Sequence, residues 1–178
     1  MDDDEADFRG FVSARWSSLV ATAYLITTDV GTAEDCVQEA LTRVHRHWRR
    51  LRQDGEPAAY AHRAVVNAAL SWRRRRRIRE VPLTPADQGE HPASEPVNQD
   101  LVGLDPTLLA ALRSLPPRMR AAVALRYLED RSEAETARLL GCSTGTVKSS
   151  TSRGVAHLRA ALEAATPASP PNTSEGAR

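Results

Sequence analysis

The chain has 178 residues, of which 41% are hydrophobic and 26% charged, with a formal net charge of +1. That length fits one large or two small domains, and any single core will be modest. Aromatic residues make up only 4% and no sustained Val/Ile/Thr alternation appears, so an all-α fold is expected.

Charge divides the chain into three parts. Residues 1–79 hold 14 Arg against 11 acids, residues 80–105 hold six acids and no Lys or Arg, and residues 106–178 hold ten basic against six acidic groups. Two cationic modules around an anionic segment point to nucleic-acid contact at two places. Cys36 and Cys142 stand alone, with no C-x-x-C and no secretory pattern, so a reduced cytosolic compartment is the expectation. No apolar run approaches the roughly 18 residues of a membrane span.

In chain order, residues 1–7 read as an acidic leader, expected to fray. From Phe8 the residues Phe11, Val12, Trp16, Leu19, Ala23 and Ile26 trace one face of a helix. Asp29, Val30 and Gly31 break it, and Thr32 is expected to cap the next helix, with Glu34 and Asp35 in its first turn. That helix should bury Val37, Leu41, Val44 and Trp48, turning Asp35, Gln38, Glu39, Thr42 and Arg46 outward. Gln53, Asp54 and Gly55 read as a loop, and Pro57 suits the first turn of a third helix. This helix carries Tyr60, Ala64, Asn67, Ala68 and Trp72 before the five arginines 73–77. Five consecutive arginines on a helix point in every direction, so they cannot all serve one intramolecular partner. Beside Trp48, Tyr60 and Trp72 they supply the aromatic-plus-cation mix that holds single-stranded or distorted nucleic acid.

Residues 81–105 are Pro-rich, acidic and without periodicity, which marks a flexible linker. Asp105-Pro106 opens a helix through Leu108, Leu112 and Leu115, Pro116-Pro117 interrupts it, and a further helix runs from Arg118 to Leu128. Ser132 with Glu135 forms a capping box for the next helix. Leu139 and Leu140 end that helix at Gly141, which tolerates the left-handed conformation of a sharp turn. Ser143 then caps a last helix whose apolar seam is read as Val147, Thr151, Val155, Leu158 and Leu162. Ala137, Gly141 and Val147 follow helix-turn-helix spacing. Lys148, Ser149, Ser152 and Arg153 fall on the opposite face, as donors and cations suited to phosphates and base edges. The tail is expected to be disordered.

Catalytic signatures find no context. His45 and His47 diverge on a helix and no Cys or carboxylate set completes a metal site. No Ser/His/Asp arrangement or Gly-rich phosphate loop appears. Neither an enzyme nor a cofactor is expected.

Three stretches together carry a resemblance: AEDCVQEAL, AYAHRAVVNAALSWRRRRR and SLPPRMRAAVALRYLEDRSEAETARLLGCSTGTVKSSTSRG. They resemble bacterial extracytoplasmic-function sigma factors of RNA polymerase, in the Trp- and Arg-rich form frequent in actinobacteria. The resemblance implies two small helical domains joined by a flexible acidic linker. Its parts are the leader 1–7, region 2 at 8–79, the linker 80–105, region 4 with the helix-turn-helix at 106–163, and the tail 164–178.

It further implies that region 2 docks on the β′ clamp helices of the polymerase core through Asp35, Gln38 and Glu39. Promoter DNA at the −10 element would be met by Arg52, Asp54, Gly55, Tyr60, Asn67, Arg73 and Arg74, with the loop from Arg52 to Glu56 holding a flipped base. At the −35 element the implied contacts are Thr144, Gly145, Thr146, Lys148, Ser149, Ser152 and Arg153, while region 4 packs on the β flap. The resemblance also admits an anti-sigma factor as partner, places the protein in the cytoplasm at the nucleoid, and implies no membrane insertion. Ser150 stands where relatives often have Arg, Ser152 where bulkier residues are common, and Thr136 where an aliphatic is usual. These departures point to a less tightly held second module.

Two other readings stay open on residues alone. A stand-alone regulator with a sensing N-terminal half would usually dimerise on two half-sites, and no heptad seam appears. A protein binding RNA or anions through its arginine run would leave the helix-turn-helix unused.

Overall fold

The structure, a computed structural model, describes residues 2–79 and 103–165, with backbone only for residues 2 and 73–79. Among the described residues there are eight α-helices, one π-helical turn and no strand. The first module comprises α1 (Asp2–Thr27), α2 (Val30–Arg46), α3 (Trp48–Asp54) and α4 (Pro57–Arg79). The second comprises α5 (Pro106–Ser114), α6 (Pro117–Val123), the π-helical turn Ala124–Leu128, α7 (Glu133–Leu140) and α8 (Thr144–Ala165). The all-α expectation holds.

Helices α1, α2 and α4 pack on one another around Leu19, Val20, Ala23, Val37, Val44, Val65 and Val66, all buried. The break between α1 and α2 is made by Thr28, which takes φ 62° and donates its N–H to the Tyr24 carbonyl at 2.7 Å. Asp29, not Thr32, caps α2: its carboxylate accepts from the Thr32 amide at 2.8 Å. A carboxylate three residues ahead reaches that amide, so the helix starts three residues earlier than the hydroxyl would place it. Glu34 and Asp35 consequently lie beyond the first turn.

Three further expectations are corrected. The leader does not fray: α1 starts at Asp2 because acids on it are held by basic side chains next to Trp48. Asp4 accepts from Arg49 at 2.7 Å and Arg52 at 3.1 Å, and Asp7 pairs with Arg52 at 2.5 Å. The hydrogen bond from Arg49 holds the Asp4 carboxyl below its ordinary range. Trp48 does not extend α2 but begins α3, where its ring meets Phe8 at 5.1 Å and Phe11 at 5.0 Å. Gln53 and Asp54 are helical, and the turn proper is Gly55, whose φ of 74° suits glycine.

In the second module Asp105 caps α5, accepting from the amides of Thr107 and Leu108 at 2.8 and 3.3 Å. The backbone bond from Thr107 holds its carboxyl low. Leu104 packs on the core formed by Ala111, Leu112, Leu115, Val123 and Leu158, so this module begins a little before the expected linker end at 105. The rest of that linker, 80–102, lies outside the described residues. So does the tail from 166, while Ala164 and Ala165 still belong to α8.

The two modules share a core. Leu109, Ala121, Ala122, Leu125 and Leu140 join the cluster built on α1, α2 and α4.

Candidate nucleic-acid interface

The helix-turn-helix is α7 and α8. The capping box at its start is complete: the Glu135 amide donates to Ser132 Oγ at 3.2 Å and the Ser132 amide to Glu135 Oε2 at 2.9 Å. The Ser132 hydroxyl also donates to Glu135 Oε2 at 2.6 Å, and that bond first, then the Ser132 amide's, holds the exposed Glu135 carboxyl below its ordinary range. Gly141 ends α7 at φ 62°, and Cys142 returns its amide to the Ala137 carbonyl at 3.1 Å. Ser143 caps α8, its Oγ accepting from the Thr146 amide at 3.1 Å. Ala137, Leu140 and Val147 are buried and fix the angle between the helices.

The buried seam of α8 is Val147, Thr151, Gly154 and Leu158, with Val155 and Leu162 only half-buried. Expectation placed Val155 where Gly154 sits. A Cβ at Gly154 would lie 2.5 Å from Val123 Cγ2 and 3.1 Å from Met119 Cγ, so side chains of α6 lie directly against the α8 backbone. Only glycine permits that approach.

The opposite face is solvent-facing. Thr144, Gly145, Thr146, Lys148, Ser149, Ser152 and Arg153 are all exposed and occupy the first three turns of α8. Lys148 reaches Glu133 at 3.6 Å across the turn, and Arg153 Nε bonds the Ser149 carbonyl at 3.1 Å. Exposed pairs of this kind are weak and exchange readily for phosphate.

The first module presents two separate faces. On α2, Asp35 and Gln38 are exposed and Glu39 is half-buried, its carboxylate ion-paired with Arg43. On α4, Tyr60 and Asn67 are exposed among buried neighbours, Asn67 lying between Val66 and Ala68. Arg63, which the sequence reading did not single out, is also exposed and shares their face at helical spacing. Arg52, Asp54 and Gly55 lie at the exposed end of α3, but Arg52 is occupied by the Asp4 and Asp7 carboxylates. Arg73 and Arg74 fall on α4 by backbone; their side chains lie outside the described residues. The face of α2 and the face of α8 are thus on different modules, and a third is on α4.

The comparisons fit that division. The profile of Sigma-70 region 2 matches residues 12–78 and that of Sigma-70, region 4 matches residues 107–158. The RNA polymerase sigma-E factor of Streptomyces coelicolor is 35% identical over 159 residues, covering 89% of this chain and 87% of that protein. The chain belongs to the extracytoplasmic-function branch of the sigma-70 family. As such it is an alternative sigma factor: it binds core RNA polymerase and promoter DNA and directs transcription initiation, in a family not generally catalytic.

Other relatives agree with this sigma factor over most of its length. The ECF RNA polymerase sigma factor SigE of Mycolicibacterium smegmatis is 39% identical over 143 residues, covering 77% of this chain and 54% of the relative. Among solved structures, the sigma factor RpoE in complex with the anti-sigma factor NepR from Bartonella quintana gives a TM-score of 0.61 at 24% identity. It covers 88% of this chain and 97% of that one, and supports the helical fold. No described helix is long and apolar enough to cross a membrane.

Proposed function

We propose that the three exposed faces divide the work of initiation: α2 docks on the polymerase clamp, α4 and the end of α3 take the opened −10 strand, and α8 reads −35. The observation that carries this reading is Asn67, an exposed amide between buried Val66 and Ala68 on the helix that also exposes Tyr60 and Arg63. An amide offers two donors and one acceptor, enough to read one base edge, and Tyr60 offers a ring on which a base can stack. Unpairing a base costs a few kcal/mol, which stacking and edge contacts offset.

On α8, Lys148 and Arg153 supply charge for phosphates, while the short side chains of Thr144, Thr146, Ser149 and Ser152 allow close approach to base edges. Gly145 leaves the backbone there uncovered. A chain of this kind needs no catalytic group, because it lends recognition to an enzyme that makes the bond; we read it as a non-enzymatic cytoplasmic protein acting at the nucleoid. The β flap is the docking partner of the second module, and an anti-sigma factor is a partner class that its faces would admit.

The clamp face has the most direct test. Asp35→Arg with Glu39→Arg should abolish binding to core polymerase with helicity unchanged by circular dichroism. Unaltered affinity in that double variant would move the clamp contact away from α2.

A further inference from the structure

The side of α3 that meets α1 carries two arginines one helical turn apart, Arg49 and Arg52. Both are met by acids of the first turns of α1. Asp4 divides its carboxylate between them: Oδ2 accepts from Arg49 Nε at 2.7 Å, and Oδ1 from a terminal nitrogen of Arg52 at 3.1 Å. Asp7, three residues on and so on the same face of α1, pairs with that nitrogen at 2.5 Å. Aromatic packing sets this register. Phe8 and Phe11 follow Asp4 and Asp7 by four residues each, and both rings rest on Trp48, the residue before Arg49. The remaining arginine of α3, Arg50, pairs with Asp54 of its own helix at 3.5 Å.

An anion whose two oxygens each take a guanidinium, with a second anion beside it, is how arginines hold a nucleic-acid backbone. Carboxylates stand here where phosphates would stand. Tyr60 lies across the same helix, its ring 6.2 Å from that of His47, the residue before α3. A helix is roughly 10 Å thick, and a strand advances about 3.4 Å per nucleotide. A strand stacked on Tyr60 therefore brings its phosphates over Arg49 and Arg52 about three nucleotides further along. The carboxylates can give way: the Arg49 and Arg52 side chains are 74% and 41% exposed, and those of Asp4 and Asp7 36% and 42%. Ion pairs this exposed are weak and screened by salt.

We propose that Arg49 and Arg52 form a phosphate site for the opened −10 strand, and that Asp4 and Asp7 of the acidic leader occupy this site until the strand displaces them. The inference rests on the assignment of α4 and the end of α3 to that strand. Arg52 is thereby placed on the backbone of the strand, and Arg49 joins it as a second contact. Because the leader is tethered, its carboxylates compete at a high effective concentration and never diffuse away. The affinity of the site for DNA is lowered by the fraction of chains in which it is covered. The leader thus weakens binding to any strand, and a promoter must offset that loss with contacts elsewhere on the chain.

Charge-matched variants of the full chain test it, each saturated with core polymerase. The probe is a duplex fragment carrying the strongest RNA start that the parent gives on genomic DNA of the encoding organism, and Kd is measured at two potassium chloride concentrations. Asp4→Asn with Asp7→Asn should tighten binding at least threefold at the lower salt. A leader that frays in this variant also uncovers the arginines, so the gain is expected either way. Asp3→Asn with Glu5→Gln removes the same charge but leaves both pairs in place, and should change Kd less than twofold. Arg49→Gln with Arg52→Gln should weaken binding at least tenfold, lower the salt slope by about 0.7 unit per lost contact, and abolish the gain from Asp4→Asn with Asp7→Asn. Unchanged or weaker binding on removing Asp4 and Asp7 would overturn the proposal, as would an equal gain from the charge-matched control. Parent-like affinity after loss of both arginines would overturn it too. The strand assignment fails separately: if Tyr60→Ala with Asn67→Ala kept the parent's affinity, that assignment would fall and the phosphate site with it, whereas failure of the leader or arginine variants leaves Tyr60 and Asn67 in their role.

Discussion

At the scale of single residues, Thr136 shows what the second module gives up. It is fully buried, and its hydroxyl has no partner among the described residues. An orphaned buried hydroxyl costs about 1–3 kcal/mol, while an apolar group of the same shape is close to neutral. Thr136→Val should therefore raise unfolding stability by about 1 kcal/mol, read from the denaturant midpoint at unchanged slope. A lower midpoint would show that the hydroxyl is bonded after all. The exposure of Asn67 was legible in the sequence, because a polar amide in an apolar run VVNAAL had to face outward or be partnered. The roles of His62 and Arg120 were not. Their partners Glu129 and the Ile26 carbonyl lie 67 and 94 residues away, and no local period marks a bond of that span.

At the scale of elements, caps decided most boundaries and long-range packing decided the rest. Ser132, Gly141 and Ser143 mark the helix-turn-helix by short-range chemistry, so that motif stands where the sequence put it. The break at Asp29 and the docked leader depend on which of several neighbouring carboxylates finds a partner, and composition does not reveal that. The seam of α8 was misread by one position because a close crossing selects glycine, whereas periodicity looks for an apolar side chain. Gly154→Ala weighs the two effects. Helix propensity favours alanine by about 1 kcal/mol, but overpacking a filled crossing costs about 1–3 kcal/mol. Val123 is 3% exposed and β-branched, with little room to turn away from a Cβ that would meet it at 2.5 Å. The variant should melt below the parent; a higher melting temperature would show that α6 can yield.

At the scale of the whole molecule, the two modules are coupled through Glu129. Burial raises its carboxyl, but the hydrogen bond and charge of His62, a bond from Thr22 and the charge of Arg131 outweigh burial and hold it below the ordinary glutamate range. A carboxyl lowered in the folded form binds protons less readily there than in the unfolded chain. Its contribution is therefore complete above the ordinary range and is lost as pH falls through the lowered value. Unfolding measured from neutral pH down into the acid range should show a steeper loss of stability for the parent than for Glu129→Gln. Equal slopes would separate Glu129 from the coupling.

The division of labour among α2, α4 and α8 is tested most directly by where RNA begins. Core polymerase with the parent chain should give a discrete set of RNA 5′ ends on genomic DNA that polymerase alone does not give. Lys148→Ala with Arg153→Ala should remove starts that depend on −35 and reduce the salt slope of promoter binding by about one unit per lost phosphate contact. Asn67→Ala should slow starts on duplex DNA and recover on templates with a pre-opened −10 bubble, with a penalty of roughly 1–3 kcal/mol tied to one base. If the same 5′ ends appeared at the same strength with both variants, on duplex and bubble alike, promoter recognition would lie elsewhere in the chain.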